Sequence, residues 1–216
     1  MQFNEAQIQA IQHNTGPCMV IAGPGSGKTT VLTHRVRYLI ERYGVNPSDI
    51  LVITFTKAAA EQMKLKFKGL SEGRNSAVTF GTFHAVFFTI LKAAYNYSAH
   101  CIIKPQIQHE FVKDQMCRLE LEYDDENEAV AGVLSEISCV KGEDVNIDEY
   151  ESRCIPPQSF RIMYRAYDDM LVRKHLIDFD DMIVQCRELL MQREDYRRAW
   201  QNKYKYILCL LYTSPS

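Results

Sequence analysis

The chain has 216 residues, of which 46% are hydrophobic and 24% are charged, and its formal net charge is −2. This length and composition are typical of one globular domain, or of one domain with a small insert, and exclude a chain too polar to bury a core. The charge balance excludes a uniformly basic surface, so any contact with nucleic acid must come from a local patch.

Neither the apolar runs nor the cysteines indicate a membrane or secreted protein. No apolar run is long enough to span a bilayer, and Met1–Glu5 has no signal-peptide character. The seven cysteines are an odd number and include no Cys-x-x-Cys pair. We therefore expect a cytoplasmic protein with reduced, buried thiols, without a disulfide framework or a zinc site.

Residues 18–30 contain the stretch around which the rest of the chain is organised. The apolar run Cys18–Ala22 predicts a buried strand, and a glycine-rich loop then leads into an amphipathic helix. This is the P-loop arrangement, with Ala22 in place of the first glycine of the pattern. Glycines let successive backbone N–H groups face one anion, and the helix N-terminus adds a positive dipole end.

The P-loop pattern predicts a site for a nucleoside triphosphate and Mg²⁺. Lys28 is expected at the β- and γ-phosphates, and the Thr29 hydroxyl is expected to bind Mg²⁺. A glycine-rich turn that binds nothing is the alternative interpretation. The full set of predicted nucleotide-binding residues in the loop is Ala22, Gly23, Pro24, Gly25, Ser26, Gly27, Lys28, Thr29 and Thr30.

A short helix capped by Asn4 precedes the loop and contains Gln7. On its own, Gln7 would be a solvated helix residue. Because it lies just upstream of a P-loop, its amide could instead read the adenine edge, with one donor and one acceptor. The helix that follows the loop has an apolar stripe and ends at Gly44, and we expect Arg35 and Arg37 to lie off the stripe in solvent.

Two further strands are predicted, at Ile50–Thr54 and Ala77–Gly81, each followed by a helix. Ile50–Thr54 is apolar enough for a parallel strand that is covered on both faces. Phe55 follows the carboxyl end of this strand, where open α/β sheets bind ligands, and either stacks on a nucleotide base or caps the core. His84 follows the next strand and either contacts a phosphate or base or is a capping or core residue.

Residues 105–175 have helical periodicity without a convincing strand, which indicates a helical insertion on the α/β core. The carboxylates of Asp178, Asp180 and Asp181 then open another helix. Carboxylates favour a helix N-terminus through capping and the helix dipole, and we prefer this role to a metal site.

Several of these segments together resemble the N-terminal part of UvrD/Rep-type superfamily I DNA helicases. The matching segments, in order, are Phe3-Asn4-x-x-Gln7, Ala22–Thr29, Thr54–Ala59, Thr82-Phe83-His84, Asp178–Asp181 and Tyr204–Leu208. The resemblance implies an α/β fold, with the parallel sheet of a RecA-like P-loop NTPase and an all-helical insertion. It divides the chain into a first core part (1–100), the insertion (101–176), a return to the core (177–208) and a tail (209–216).

The same resemblance implies ATP and Mg²⁺ as cofactors and single-stranded DNA as partner. Gln7 would read adenine, Lys28 and Thr29 would serve catalysis, and Thr29 would hold the metal. The implied DNA-binding residues are Thr54, Phe55, Thr56, Lys57, Phe83 and His84. The family often has an asparagine before the lysine of this segment, whereas here Thr56 is followed directly by Lys57.

In that family, the strand at Tyr206–Leu208 continues into an Asp-Glu pair that holds Mg²⁺ and orients the attacking water. Here Cys209–Ser216 contains no carboxylate. We expect these eight residues to be foreign or the mark of a truncation, the second RecA-like domain to be missing, and the chain to be inactive alone. A non-catalytic nucleotide- or DNA-binding module and a small P-loop kinase are the alternative functions.

Overall fold

The computed structural model describes residues 2–71, 77–143 and 145–211. These ranges contain α-helices, the strands of a single sheet, and two short 3-10 helices at Pro47–Asp49 and Ala99–Cys101. The α-helices and strands are numbered here. In chain order they are α1 (Glu5–Gln12), α2 (Lys28–Tyr43), β1 (Ile50–Thr54), α3 (Lys57–Leu70), β2 (Thr79–Thr82), α4 (Phe83–Tyr95), α5 (Pro105–Arg118), α6 (Glu126–Glu143), α7 (Pro157–Arg173), α8 (Phe179–Gln192), α9 (Glu194–Lys203) and β3 (Tyr206–Leu210).

The chain divides into two compact units. The first, here called the sheet unit, consists of Met1–Val86 and Arg193–Ser216, and the second, the helical unit, is Phe87–Gln192. The predicted α/β fold with a parallel sheet and a helical segment is confirmed. The predicted boundaries at residues 101, 177 and 209 stay predictions.

The sheet has the strand order β2-β1-β3, and both neighbours run parallel to β1. All five residues of β1 are buried, as expected for a central parallel strand. Thr54, at the end of β1, lies in register with Thr82 of β2 and Leu210 of β3. Because the strands are parallel, their carboxyl ends meet at one edge of the sheet, and this edge is where the predicted DNA contacts begin.

The core of the sheet unit forms between the sheet and helices α2 and α3. Val36 and Leu39 of α2 pack with Met63 and Phe67 of α3 and with the buried side chains of β1 and β3. Helix α2 ends where Gly44 takes a left-handed conformation, with φ of +65°. This packing fixes the helix whose first residue is Lys28.

The predicted strand at Cys18–Ala22 is wrong, because residues 17–23 have no regular structure. Met19 is 87% exposed and Ile21 is 91% exposed. No described strand pairs with this segment, and an extended apolar run forms a strand only where a neighbour completes its backbone hydrogen bonds. The segment instead lines a cavity whose other lining includes residues 207–210 of β3.

The helical unit has its own apolar core, built from α5, α6 and α7. Val112 and Met116 of α5 pack with Val133 and Ile137 of α6 and with the buried face of α7. This face consists of Phe160, Met163, Tyr167, Met170 and Leu171. The apolar residues that recur at helical spacing in the sequence thus lie on three helix faces that pack against one another.

Three smaller expectations can be compared with the structure. The prediction of buried thiols is wrong: Cys186 is buried and Cys101 partly buried, whereas the other five cysteines are exposed. Two of these five lie outside helices and strands, and the other three are at unburied positions of α5, α6 and β3. No helix in the described part of the chain is long and apolar enough to cross a membrane. Of the expected tail, Cys209 and Leu210 belong to β3, and residues 212–216 lie outside the described residues.

Candidate nucleotide site and strand-end surface

The glycine-rich loop is an exposed turn that leads directly into α2. Gly25 and Gly27 have φ of +73° and +83°, values that residues other than glycine rarely adopt. Gly27 is the N-cap residue of α2, and the Ser26 hydroxyl donates to the Gly23 carbonyl at 2.7 Å. A Cβ atom added at Gly23 or Gly25 would meet nothing within 4 Å. The loop is therefore open to an incoming anion.

The Lys28 side chain extends towards the start of this loop. Its Nζ donates to the carbonyl oxygen of Ala22 at 3.1 Å and to that of Gly23 at 2.9 Å. The positive charge is thus held beside the loop by neutral acceptors. An anionic ligand would be a stronger acceptor for the same ammonium group.

The Gln7 side chain uses its amide oxygen at the start of α1 and its amide nitrogen to reach the loop. Its Oε1 accepts from the backbone N–H of Asn4 at 3.1 Å, and the Asn4 side chain accepts from the Gln7 N–H, which completes a capping box. Gln7 Nε2 donates to the Ser26 carbonyl at 3.0 Å. The predicted adenine contact stays a prediction, and the contact with the loop is one that the sequence did not reveal.

A cavity of about 400 Å³ extends from the loop between α1, α2 and β3. Gln7, Lys28 and Arg35 contribute polar side chains, and Ile207 and Leu210 of β3 contribute apolar ones. None of the described residues that line this cavity is acidic. It therefore combines positive charge, amide groups and apolar surface.

We expected Arg35 to lie in solvent because it is off the apolar stripe of α2, and this expectation is wrong. Its Nη1 donates to the carbonyl oxygen of Ala10 at 3.0 Å and also to that of His13. Burial lowers the pKa of the guanidinium. Arg37, in contrast, has a side chain that is 40% exposed, and it pairs with Glu41 one turn along α2 at 2.8 Å.

The metal prediction at Thr29 remains a prediction. The Thr29 residue is partly buried in the first turn of α2, and its carbonyl accepts from the Thr33 hydroxyl at 3.0 Å. Within residues 2–71, 77–143 and 145–211, no group of three or more His, Cys, Asp or Glu side chains could hold a metal ion. The backbone amides of the loop and the Lys28 ammonium suit phosphate groups, and the Thr29 hydroxyl is the oxygen that the prediction assigns to Mg²⁺.

Two aromatic rings lie together where β1 and β2 end. Phe55 is 60% exposed, and its ring centroid lies 5.5 Å from that of Phe83, with the planes tilted by 41°. Phe83 and His84 are partly exposed at the start of α4. The four residues Phe55, Thr56, Phe83 and His84, here called the strand-end surface, thus come from two segments that are 28 residues apart, as the register of the strands requires.

The neighbouring residues have structural contacts of their own. The Thr56 hydroxyl caps α3 by accepting from the Ala59 N–H at 3.2 Å. Thr54 is 1% exposed, and its hydroxyl donates to the Leu210 carbonyl at 2.9 Å, so it joins β1 to β3. The Lys57 side chain is 87% exposed and lies 3.8 Å from Glu61. The predicted DNA contacts of these residues stay predictions.

The helical unit contains a buried ion cluster that the sequence did not reveal. Lys141 of α6, whose side chain is 4% exposed, lies 3.0 Å from Asp168, 3.0 Å from Asp178 and 2.8 Å from Asp181. Tyr167 donates its hydroxyl to Asp178 at 3.2 Å. The sequence signal was a lysine four residues after Ile137 on the apolar stripe of α6.

Charge and burial act against each other in this cluster. Burial by itself lowers the pKa of Lys141, but the carboxylates of Asp178, Asp181 and Asp168 together raise it above its ordinary value. Burial and the adjacent Asp178 carboxylate raise the pKa of Asp181 to about 6. Asp178 also caps α8, since its Oδ1 accepts from the Asp181 N–H at 2.7 Å, as predicted. A cavity of about 410 Å³ adjoins the cluster within the helical unit.

Comparison with known proteins identifies the family. The family model of the UvrD/REP helicase N-terminal domain matches residues 3–209. The chain belongs to this family. It is 33% identical over 216 residues to the ATP-dependent DNA helicase Rep of Escherichia coli, with 96% of this chain and 32% of that protein covered.

Two further relatives show the same partial coverage. The putative ATP-dependent DNA helicase YjcD of Bacillus subtilis is 32% identical over 95% of this chain and 28% of its own length. The ATP-dependent DNA helicase PcrA of Staphylococcus epidermidis is 30% identical over 95% of this chain and 29% of its own length. The chain thus spans about a third of the length of these relatives, and its family membership agrees with the resemblance inferred from the motifs.

Proposed function

We propose that this chain is the N-terminal, ATP-binding part of a 3′-to-5′ DNA helicase that couples ATP hydrolysis to movement along single-stranded DNA. The observation that carries the proposal is the open loop with left-handed Gly25 and Gly27 and the Lys28 ammonium, in a cavity that Gln7 also lines. The exposed Phe55 beside Phe83 at the neighbouring strand ends supports the DNA contact. The names of Rep, YjcD and PcrA, all DNA helicases, support the same function.

In this proposal, the backbone amides of Gly23–Thr29 and the dipole of α2 bind the phosphates of ATP. Lys28 exchanges its two carbonyl acceptors for phosphate oxygens, and Gln7 reads the adenine edge. The Thr29 hydroxyl is a ligand for Mg²⁺, which would neutralise phosphate charge when bound. A second RecA-like domain, supplied by the longer parent protein, would close over the nucleotide.

The strand-end surface would bind single-stranded DNA through stacking on Phe55. We expect Phe55→Ala to weaken binding of a labelled oligo(dT) by about five- to 150-fold, since stacking on an aromatic side chain contributes about 1–3 kcal/mol per base. The dependence of the affinity on salt should stay as in the wild type, because the variant removes no charge. Fluorescence anisotropy at several salt concentrations measures both quantities.

Leu65→Ala is the matched control for Phe55→Ala, because Leu65 is a 70% exposed apolar residue of the same unit but lies within α3. It should bind oligo(dT) as the wild type does. Equal affinities of the Phe55→Ala variant and the wild type would contradict the stacking role.

The chain on its own should hydrolyse ATP slowly or not at all, with or without single-stranded DNA. The reason is that no acidic side chain of the described residues lines the nucleotide cavity, so none is placed there to hold Mg²⁺ or to orient water. A phosphate-release assay on the purified protein measures this. Rapid, DNA-stimulated hydrolysis that Lys28→Ala abolishes would show that the described chain carries a complete catalytic site.

A further inference from the structure

Arg35 of α2 contacts the carboxyl end of α1. We propose that Arg35 is a positioning residue that holds α1 against α2, so that Gln7 stays at the P-loop. The proposal rests on the function proposed above and adds a residue to it. It concerns the sheet unit alone, because α1, α2 and the loop all belong to that unit.

The first step of the argument is where the arginine donates. Ala10 and His13 are at the carboxyl end of α1, where helix carbonyls lack partners within the helix. Arg35 donates to both of these carbonyls from one Nη1 atom. A cation at this end also interacts favourably with the helix dipole. The contact therefore satisfies backbone groups of α1 with a charge that α2 carries.

Two other contacts from α2 reach α1 and the residue that precedes its N-cap. The Tyr43 hydroxyl donates to the Gln12 carbonyl at 3.0 Å, and His34 meets the ring of Phe3 edge-on, with centroids 4.9 Å apart. Helix α1 has eight residues, of which Ile11 alone is buried, so apolar packing contributes little to its position. The hydrogen bonds from Arg35 and Tyr43 therefore contribute to holding α1 in place.

The last step connects this position to the loop. Gln7 lies one turn before Ala10 on α1 and donates to the Ser26 carbonyl at 3.0 Å. Helix α2 begins at Lys28, directly after the loop. The same helix thus starts at the phosphate-binding lysine and, two turns later, fixes the element that carries Gln7. Loss of the Arg35 contact releases α1 at its carboxyl end, and with it the placement of Gln7.

The experiment compares Gln7→Ala, Arg35→Met and the double variant by calorimetry, with a non-hydrolysable ATP analogue and with inorganic tripolyphosphate as ligands. Each single variant should lose about three- to tenfold in affinity for the ATP analogue, the size expected for a lost hydrogen bond. The change in tripolyphosphate affinity should be the same for Arg35→Met as for Gln7→Ala, whatever its size. The double variant should be no weaker than the weaker single variant, since both changes remove one interaction.

The control is Arg37→Met, on the same helix and partly exposed, which should bind both ligands as the wild type does. Arg35→Lys, which keeps the cation, should recover part of the loss. If Arg35→Met does not fold, Tyr43→Phe removes a single hydrogen bond to the same end of α1 and should give a smaller loss with the Gln7→Ala pattern. Additive losses, a ligand pattern unlike that of Gln7→Ala, or unchanged affinities would overturn the positioning role. A wild-type chain that binds neither ligand would instead refute the proposed function.

Discussion

Lys141→Met should destabilise the protein by about 3–5 kcal/mol, the usual cost of removing one partner from a buried ion pair. In the wild type, this ammonium lies within 3.0 Å of Asp168, Asp178 and Asp181. Methionine fills a similar volume, so the loss comes mainly from the Asp178 and Asp181 carboxylates, which stay largely buried but lose their cation. Urea denaturation followed by circular dichroism at pH 7 measures the free energy of unfolding.

The effect of pH on this variant has a definite sign. In the wild type, the pKa of Asp181 is raised to about 6, so the folded protein holds a proton there that the unfolded chain releases near pH 4. The stabilisation from this proton is therefore fully present below about pH 4 and is lost as the pH rises through 6. Without Lys141, whose charge lowers the pKa of Asp181, that pKa rises further, and the deficit relative to the wild type should shrink between pH 7 and pH 5.

Lys113→Met is the matched control, because Lys113 also pairs with a carboxylate, that of Glu126 at 2.6 Å, but on the surface. Its stability should stay close to that of the wild type at each pH. A Lys141→Met protein as stable as the control, or a deficit that grows as the pH falls from 7 to 5, would contradict the assigned role of the cluster.

Lys28→Ala should weaken binding of a non-hydrolysable ATP analogue by about ten- to 150-fold. A hydrogen bond to a charged group typically contributes about 1.5–3 kcal/mol. Lys28 must give up its bonds to Ala22 and Gly23 to bind phosphate, so the expected loss is smaller than the sum of several such bonds. Folding should be unaffected, since the lysine is partly exposed and its acceptors can bind water. Calorimetric titration measures the affinity.

Lys68→Ala, which removes an exposed lysine from the last turn of α3, is the control for the loss of one positive charge. It should bind the ATP analogue as the wild type does. If Lys28→Ala and Lys68→Ala have the same affinity as the wild type, the loop is not the site of triphosphate binding.

The features that the sequence predicted are those that depend on neighbours along the chain. The burial of Ile50–Thr54 follows from its unbroken apolar character, and the end of α2 at Gly44 follows from the positive φ that glycine allows. The Asn4 cap of α1 was likewise predictable from residue type. The place of Phe55 after the carboxyl end of β1 was predictable too, and its contact with Phe83 follows because the carboxyl ends of parallel strands share an edge.

The features that the sequence did not predict depend on partners far along the chain. Cys18–Ala22 has the composition of a strand, but composition cannot supply the neighbouring strand that its backbone needs. Arg35 is off the apolar stripe of α2, which says nothing about the carbonyls of α1 that it meets. Lys141 and its carboxylate partners are 27 to 40 residues apart, and local periodicity does not bring a specific cation and carboxylates together.

The most direct test of the account is a titration of the ¹⁵N-labelled chain, first with a non-hydrolysable ATP analogue and then with oligo(dT). The NMR chemical shifts of the backbone amides are measured at each step. The account predicts that the nucleotide shifts the amides of Gly25, Gly27 and Lys28, and that the DNA shifts those of Phe55, Thr56 and His84. Nucleotide shifts confined to residues around Lys141, with the loop unchanged, would contradict it, as would DNA shifts that leave the ends of β1 and β2 untouched.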